Sequence, residues 1–206
     1  MALTTYAELK ASIADWLVRD DLTTVVDDFV DMAEADMNRH LKHWRMEGRV
    51  TLSVSGQYTD LPTDFIAFRK VTLIDTVPRR MELMSRATMQ EEREASSDTT
   101  GAPEYYALTD GDLEVFPSPD DTYSVDLAYV EKVPALSDSN TTNWVLDNHP
   151  DLYLAGSMIY ASAYEKDDQA EAKWQARFNG LLESINRESD RARFSGAGLR
   201  TKINSY

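Results

Sequence analysis

Cysteine is absent from the chain, and histidine occurs only three times. The lack of cysteine excludes disulfide bonds and thiolate metal sites, and it is typical of proteins that fold in a reducing cytoplasm. The N-terminus lacks the basic and apolar regions of a signal peptide. The longest weakly polar run, residues 152–164, is too short to cross a bilayer. Composition therefore predicts a cytoplasmic protein with no membrane partner.

Positive charge is scarce everywhere except near the C-terminus. The whole chain carries −15, but residues 187–206 carry +3, so residues 1–186 carry −18. Such an acidic body repels phosphate backbones and is a poor candidate for tight binding to duplex DNA. The excess of acidic residues can be interpreted as a feature that keeps the protein soluble, or as a surface that lies near DNA without binding it. The basic end indicates docking onto an acidic surface, with an ordinary unstructured terminus as the alternative.

Helical patterns open the chain. Thr5 and Glu8 have the spacing of a capping box, and apolar residues at helical spacing follow to about Val18. A second apolar face, interrupted from the first by Asp20 and Asp21, predicts a helix that runs to about Met46.

The middle of the chain changes to an alternating pattern. Residues 50–54 alternate apolar and polar side chains, and Asp110-Gly111 between two apolar runs predicts a type I′ hairpin. Thr88 and Glu91 again have capping-box spacing, so a short helix is expected there. Residues 47–133 are thus predicted to form a small antiparallel sheet that carries one short helix.

Helices return after residue 143. Pro150 suits a first helical position, and the last helix is expected to begin near Asp167 or Asp168. The predicted fold class is α+β, mainly α: a bundle of about four helices with an inserted small antiparallel β-sheet and an extended C-terminal tail. A single domain of residues 1–206 is predicted, with these parts: helices at about 4–46 and 149–190, the β-rich insertion at about 47–133, and the tail at about 191–206.

Three groups of residues resemble chemical sites, and each has a simpler explanation. His40 and His43 fall on one predicted helix face, but a metal site needs three or four arranged ligands. Residues 110–114 look like part of a calcium loop, yet the hairpin explains them better. The acidic residues of the second helix, Asp27, Asp31 and Glu34, are interpreted as a solvated face. No catalytic residue, cofactor or metal site is therefore predicted.

The four tryptophans divide into two groups. Trp16, Trp44 and Trp174 lie on apolar helix faces and are predicted to be core residues. Trp144 lies in a predicted loop before Pro150, which makes it the better candidate for an interface.

Several segments, taken in order, resemble one family. The opening residues 2–10 look like the start of the adaptor proteins of tailed bacteriophages, also called head-to-tail connector or head-completion proteins. The other similar segments, which together with the first cover most of the chain in the family's order, are residues 61–65, 101–106, 115–119, 133–144 and 148–153.

The resemblance implies a structural virion protein without enzymatic activity or cofactor. Such adaptors form a dodecameric ring beneath the portal protein at the capsid vertex, extend the DNA channel, and offer a docking surface to the tail or nozzle protein. The implied location is the virion neck, with assembly in the host cytoplasm. Packaged double-stranded DNA would pass through without sequence-specific binding.

Two sets of contact residues are predicted, one at the basic end and one around Trp144. The C-terminal segment of related connectors reaches the portal, and the corresponding residues here are Arg191, Arg193, Phe194, Leu199, Arg200, Lys202 and Tyr206. Trp144 and His149 are the candidate contacts to a neighbouring subunit or to the tail. The alternatives are a tail-completion or stopper protein lower in the neck and, from a different class, a soluble helical nucleic-acid-binding or regulatory module. An enzyme is the weakest interpretation.

Overall fold

A computed structural model describes residues 3–19, 21–22, 24–96 and 99–194. These residues form six α-helices and eight strands, so the α+β class is confirmed. The helices are α1 Tyr6–Leu17, α2 Val26–His40, α3 Arg86–Ala95, α4 Trp144–Asn148, α5 Pro150–Glu165 and α6 Asp168–Phe194. The strands are β1 Glu47–Val54, β2 Tyr58–Asp60, β3 Phe65–Ile74, β4 Arg79–Arg80, β5 Glu82–Leu83, β6 Tyr105–Thr109, β7 Asp112–Phe116 and β8 Tyr123–Glu131.

The chain divides into two compact units. The helical unit contains the described parts of residues 1–44 and 133–206, and the β-rich unit contains residues 45–132. In the helical unit, α5 is buried along most of its length and packs against α1, α2, α4 and α6. Gly156 permits the close approach, because a Cβ there would lie 3.0 Å from both Ala33 Cβ and Phe178 Cε2.

Helix α1 forms as the sequence predicts, while α2 ends earlier than predicted. Thr5 accepts from the Glu8 N–H, and the Glu8 carboxylate accepts from the Thr5 N–H, so the capping box is confirmed. The prediction that the second helix reaches about Met46 is wrong, because α2 ends at His40. Asn186, which lies on α6, hydrogen-bonds the backbone at the end of α2. Its Nδ2 donates to the His40 carbonyl, and its Oδ1 accepts from the backbone N–H of Lys42.

The β-rich unit contains two four-stranded sheets where a single antiparallel sheet is predicted. Their strand orders are β1-β8-β3-β4 and β2-β7-β6-β5, and β5 pairs with β6 in parallel. The apolar side chains of both sheets meet in one core. Burial alternates along β1 and β8, whereas β7 is buried at four consecutive residues. That core contains Val54, Val71, Leu73, Met81, Tyr106, Leu113, Val115, Val125, Leu127 and Tyr129.

Local signals within this unit are partly confirmed. Asp110 and Gly111 both have positive φ, at 53° and 92°, as a type I′ turn between β6 and β7 requires. The short helix exists as α3, but its N-cap is Ser85, which accepts from the Thr88 N–H. The predicted cap at Thr88 is wrong because Thr88 already lies in the first turn.

The second half of the helical unit begins at a capped helix. Asn143 caps α4 by accepting from the Val145 and Leu146 N–H groups, so Trp144 opens a helix rather than lying in a loop. Pro150 is at the start of α5, and α6 begins at Asp168, as predicted. Helix α6 continues to Phe194, past the predicted end near residue 190.

Candidate functional site

The exposed end of α6 carries the described part of the predicted C-terminal contact set. Arg191, Arg193 and Phe194 are helical, so an extended tail does not begin at residue 191 as predicted. Phe194 is 69% exposed. Arg191 and Arg193 lie in the last turn, where their positive charge interacts favourably with the negative end of the helix dipole. One turn earlier, Arg187 pairs with Glu183. The other members of the set lie outside the described residues: Leu199, Arg200, Lys202 and Tyr206.

Trp144 and His149, the other predicted contact residues, are brought together around a buried histidine. His43 is 5% exposed, and its ring stacks on Trp144 with centroids 4.7 Å apart. The His149 ring meets His43 edge-on at 6.3 Å. Trp144 and His149 are each half-buried, and the part of the cluster that stays accessible is aromatic. No periodic signal in the sequence marks His43, because it lies after the end of α2.

Two of the tryptophans predicted as core lie at the surface. Trp16 is 55% exposed, Trp44 is 44% exposed, and Trp174 is half-buried. Trp16 and Trp174 meet edge to face at 5.4 Å, and the Arg177 guanidinium lies 5.6 Å from the Trp174 centroid. They line a groove of about 320 Å³ between α1 and α6, together with Lys173, Arg177 and Asp167. Helical periodicity places these tryptophans on the apolar faces of their helices, but it does not show which positions on those faces are left exposed.

Glu34 is a buried carboxylate that sequence reasoning missed. It is 6% exposed, and a single oxygen, Oε1, accepts from the Leu136 N–H at 2.8 Å and the Tyr153 hydroxyl at 2.9 Å. Asn143 donates to that hydroxyl at 2.6 Å, which joins three parts of the helical unit. Burial raises the pKa of Glu34, although the two hydrogen bonds oppose the shift. The prediction of a solvated face therefore fails at Glu34, while Asp31 is exposed.

The residues that resemble metal ligands have other roles. His40 is exposed on α2, whereas His43 lies beyond the helix end and is buried. Glu114, at the end of the loop that looks like a calcium site, accepts from Thr109 at 2.7 Å and pairs with Arg93. Within the described ranges, no three histidine or acidic side chains converge on a point where they could hold a metal ion.

The exposed aromatic and basic side chains described above lie on the helical unit. None of the helices within the described ranges has the length and apolarity needed to cross a membrane. A comparison with curated proteins gave no match. A family model described as SU10 adaptor protein matches residues 4–201, which is nearly the whole chain. The chain therefore belongs to the SU10 adaptor protein family, whose members are structural phage adaptors rather than a class of enzyme.

Proposed function

We propose that this chain forms a dodecameric adaptor ring that joins the portal to the tail or nozzle and extends the DNA channel. The observation that carries this proposal is the family match over residues 4–201. The whole chain acts as a single adaptor domain in the virion neck. Helices α1, α2, α5 and α6 form the bundle that is its body, and residues 47–133 are an insertion in that body.

The net negative charge of the chain supports the proposal that its ring surrounds a channel through which DNA passes. The chain carries 36 acidic and 21 basic residues, so a ring of copies carries a large net negative charge. Negative walls repel phosphates and avoid the counterion release that would hold duplex DNA in place. Packaged DNA then passes without being bound at particular sequences.

The C-terminal segment, residues 191–206, is proposed to contact the portal. Helix α6 has 27 residues. At 1.5 Å per residue it is about 40 Å long, enough to carry its end well away from the start of the helix. That end exposes Phe194 beside Arg191, an apolar and cationic pair that suits an acidic partner surface. The tail of the segment adds Leu199, Arg200, Lys202 and Tyr206 to the same set.

The cluster around Trp144 and His149 is proposed to contact a neighbouring subunit or the tail. Both side chains are half-buried and keep some accessible surface, and Trp144 stacks on His43. Aromatic side chains that are already fixed lose little conformational entropy on binding. The free protein is proposed to be a monomer that forms its ring on the portal during assembly in the host cytoplasm.

Truncation after Phe194 tests the portal contact while leaving α6 complete. The truncated protein should fold normally by circular dichroism and should fail to co-sediment with purified portal rings. Arg191→Glu should weaken co-sedimentation, whereas Lys70→Glu, which makes the same charge change on β3, should not. Co-sedimentation of the truncated protein at the full-length level would reject the proposed role of residues 195–206.

A further inference from the structure

The groove between α1 and α6 combines two tryptophans with the basic side chains Lys173 and Arg177, and one carboxylate, Asp167, also lines it. Trp16 and Trp174 form its apolar wall, while Lys173 and Arg177 are exposed along α6. Trp16 is 55% exposed even though it is large and apolar. Tryptophan and arginine together are among the residue types most enriched at the centres of protein interfaces. This composition indicates a protein partner that brings negative charge and some apolar surface.

A complementary face lies on α2 of the same unit. Its exposed positions recur at the spacing of one helix face: Asp28, Asp31, Met32 and Ala35. Met32 is 38% exposed, so a flexible apolar side chain stands beside the two aspartates, and the small Ala35 leaves room for a partner to approach. Neither aspartate forms an ion pair with a residue that the structure describes. The buried residues of α2, such as Val30 and Ala33, face the opposite way, toward the core.

We infer that the groove of one copy binds the acidic face of α2 on the next copy. This inference rests on the proposed function, and it names the surfaces between neighbouring subunits. If the grooves of two copies met, the basic side chains Lys173 and Arg177 of both copies would face each other. If the α2 faces of two copies met, their carboxylates would face each other. Charge therefore favours a heterologous contact, in which two different surfaces meet and a rotation can close a ring.

Paired charge reversals test the contact in full-length protein bound to purified portal rings. The groove variant is Lys173→Glu with Arg177→Glu, and the α2 variant is Asp28→Lys with Asp31→Lys. Each variant alone should form rings on the portal poorly, because like charges then face each other. The apparent affinity between neighbouring copies should fall at least about tenfold. A one-to-one mixture should form rings again, since the two copies alternate with complementary charges at every contact.

Cysteine pairing gives a second and more local test. This chain contains no cysteine, so an introduced thiol is the only one in each copy. Met32→Cys mixed with Gln169→Cys on portal should give disulfide-linked dimers under mild oxidation, while neither variant alone should. Met32→Cys mixed with Glu188→Cys, which is exposed farther along α6, is the matched control and should not cross-link.

The outcomes separate this inference from the proposed function. Wild-type protein that forms no ring on portal would overturn both. Wild-type rings with unaffected reversal variants would overturn only the assignment of these surfaces. The same holds if the mixture fails to form rings, because the two surfaces would then not complement each other. A control with the same charge change elsewhere, Lys70→Glu with Arg86→Glu, should still form rings, and its failure would show that net charge alone explains the loss.

Discussion

Replacing Glu34 by alanine is the sharpest test of how the helical unit is held together. One carboxylate oxygen accepts from the Leu136 N–H and the Tyr153 hydroxyl, and all three residues are buried. Alanine leaves both donors without this acceptor. A buried donor that loses its partner costs about 1–3 kcal/mol, so Glu34→Ala should lower the free energy of unfolding by about 2–6 kcal/mol. That is a large share of the roughly 5–15 kcal/mol that stabilises a typical domain.

Glu34→Gln is the matched control, because an amide oxygen can accept both hydrogen bonds in the same place. Urea unfolding followed by tryptophan fluorescence measures the difference between the two variants. For a urea m-value of about 1–3 kcal/mol/M, the alanine variant should unfold at a midpoint lower by roughly 1 M or more. Equal midpoints for the alanine and glutamine variants would show that these two hydrogen bonds do not stabilise the unit.

Three further results are expected from the same urea assay. Burial raises the pKa of Glu34 in the folded chain above its ordinary 4.5, so the folded state binds this proton more tightly. Wild type should therefore lose stability relative to Glu34→Gln as the pH rises from 4.5 through the raised value, and a constant or opposite difference would contradict the assignment. Thr5→Ala should cost about 1 kcal/mol through the lost cap of α1, and an unchanged midpoint would count against that cap. Arg93→Met should cost about 3–5 kcal/mol because it leaves buried Glu114 without its cation. Adding Glu114→Gln should recover part of that loss, and a further loss would argue against the pair.

Sequence reasoning succeeds where the cause is local. The cap at Thr5, the turn at Asp110-Gly111 and the start of α5 at Pro150 each depend on residues within a few positions of one another. Such signals act through hydrogen bonds and φ preferences that the local chain fixes by itself.

It fails where the cause comes from a distant part of the chain. Helix α2 ends at His40 because Asn186, on α6, supplies partners to the backbone there. Just beyond, the Trp44 N–H donates to the Ser189 hydroxyl at 2.9 Å. The apolar pattern up to Trp44 is compatible with a longer helix, and only tertiary contacts overrule it.

The contact surfaces show the same limit. Apolar spacing places Trp16 on the apolar face of α1, but Trp16 is exposed because the other helices do not cover the end of that face. An acidic residue on α2 is expected to be solvated, yet Glu34 is buried because Tyr153 and the backbone at Leu136 supply donors. Burial of a carboxylate depends on such partners, which no local pattern reveals.

Electron cryo-microscopy of the neck of mature virions would show whether this chain forms the proposed ring. We expect a ring of copies of this chain seated directly beneath the portal, with residues 191–206 of each copy against the portal surface. A neck that lacks this chain, or that contains it only below another ring and away from the portal, would rule out the proposed function.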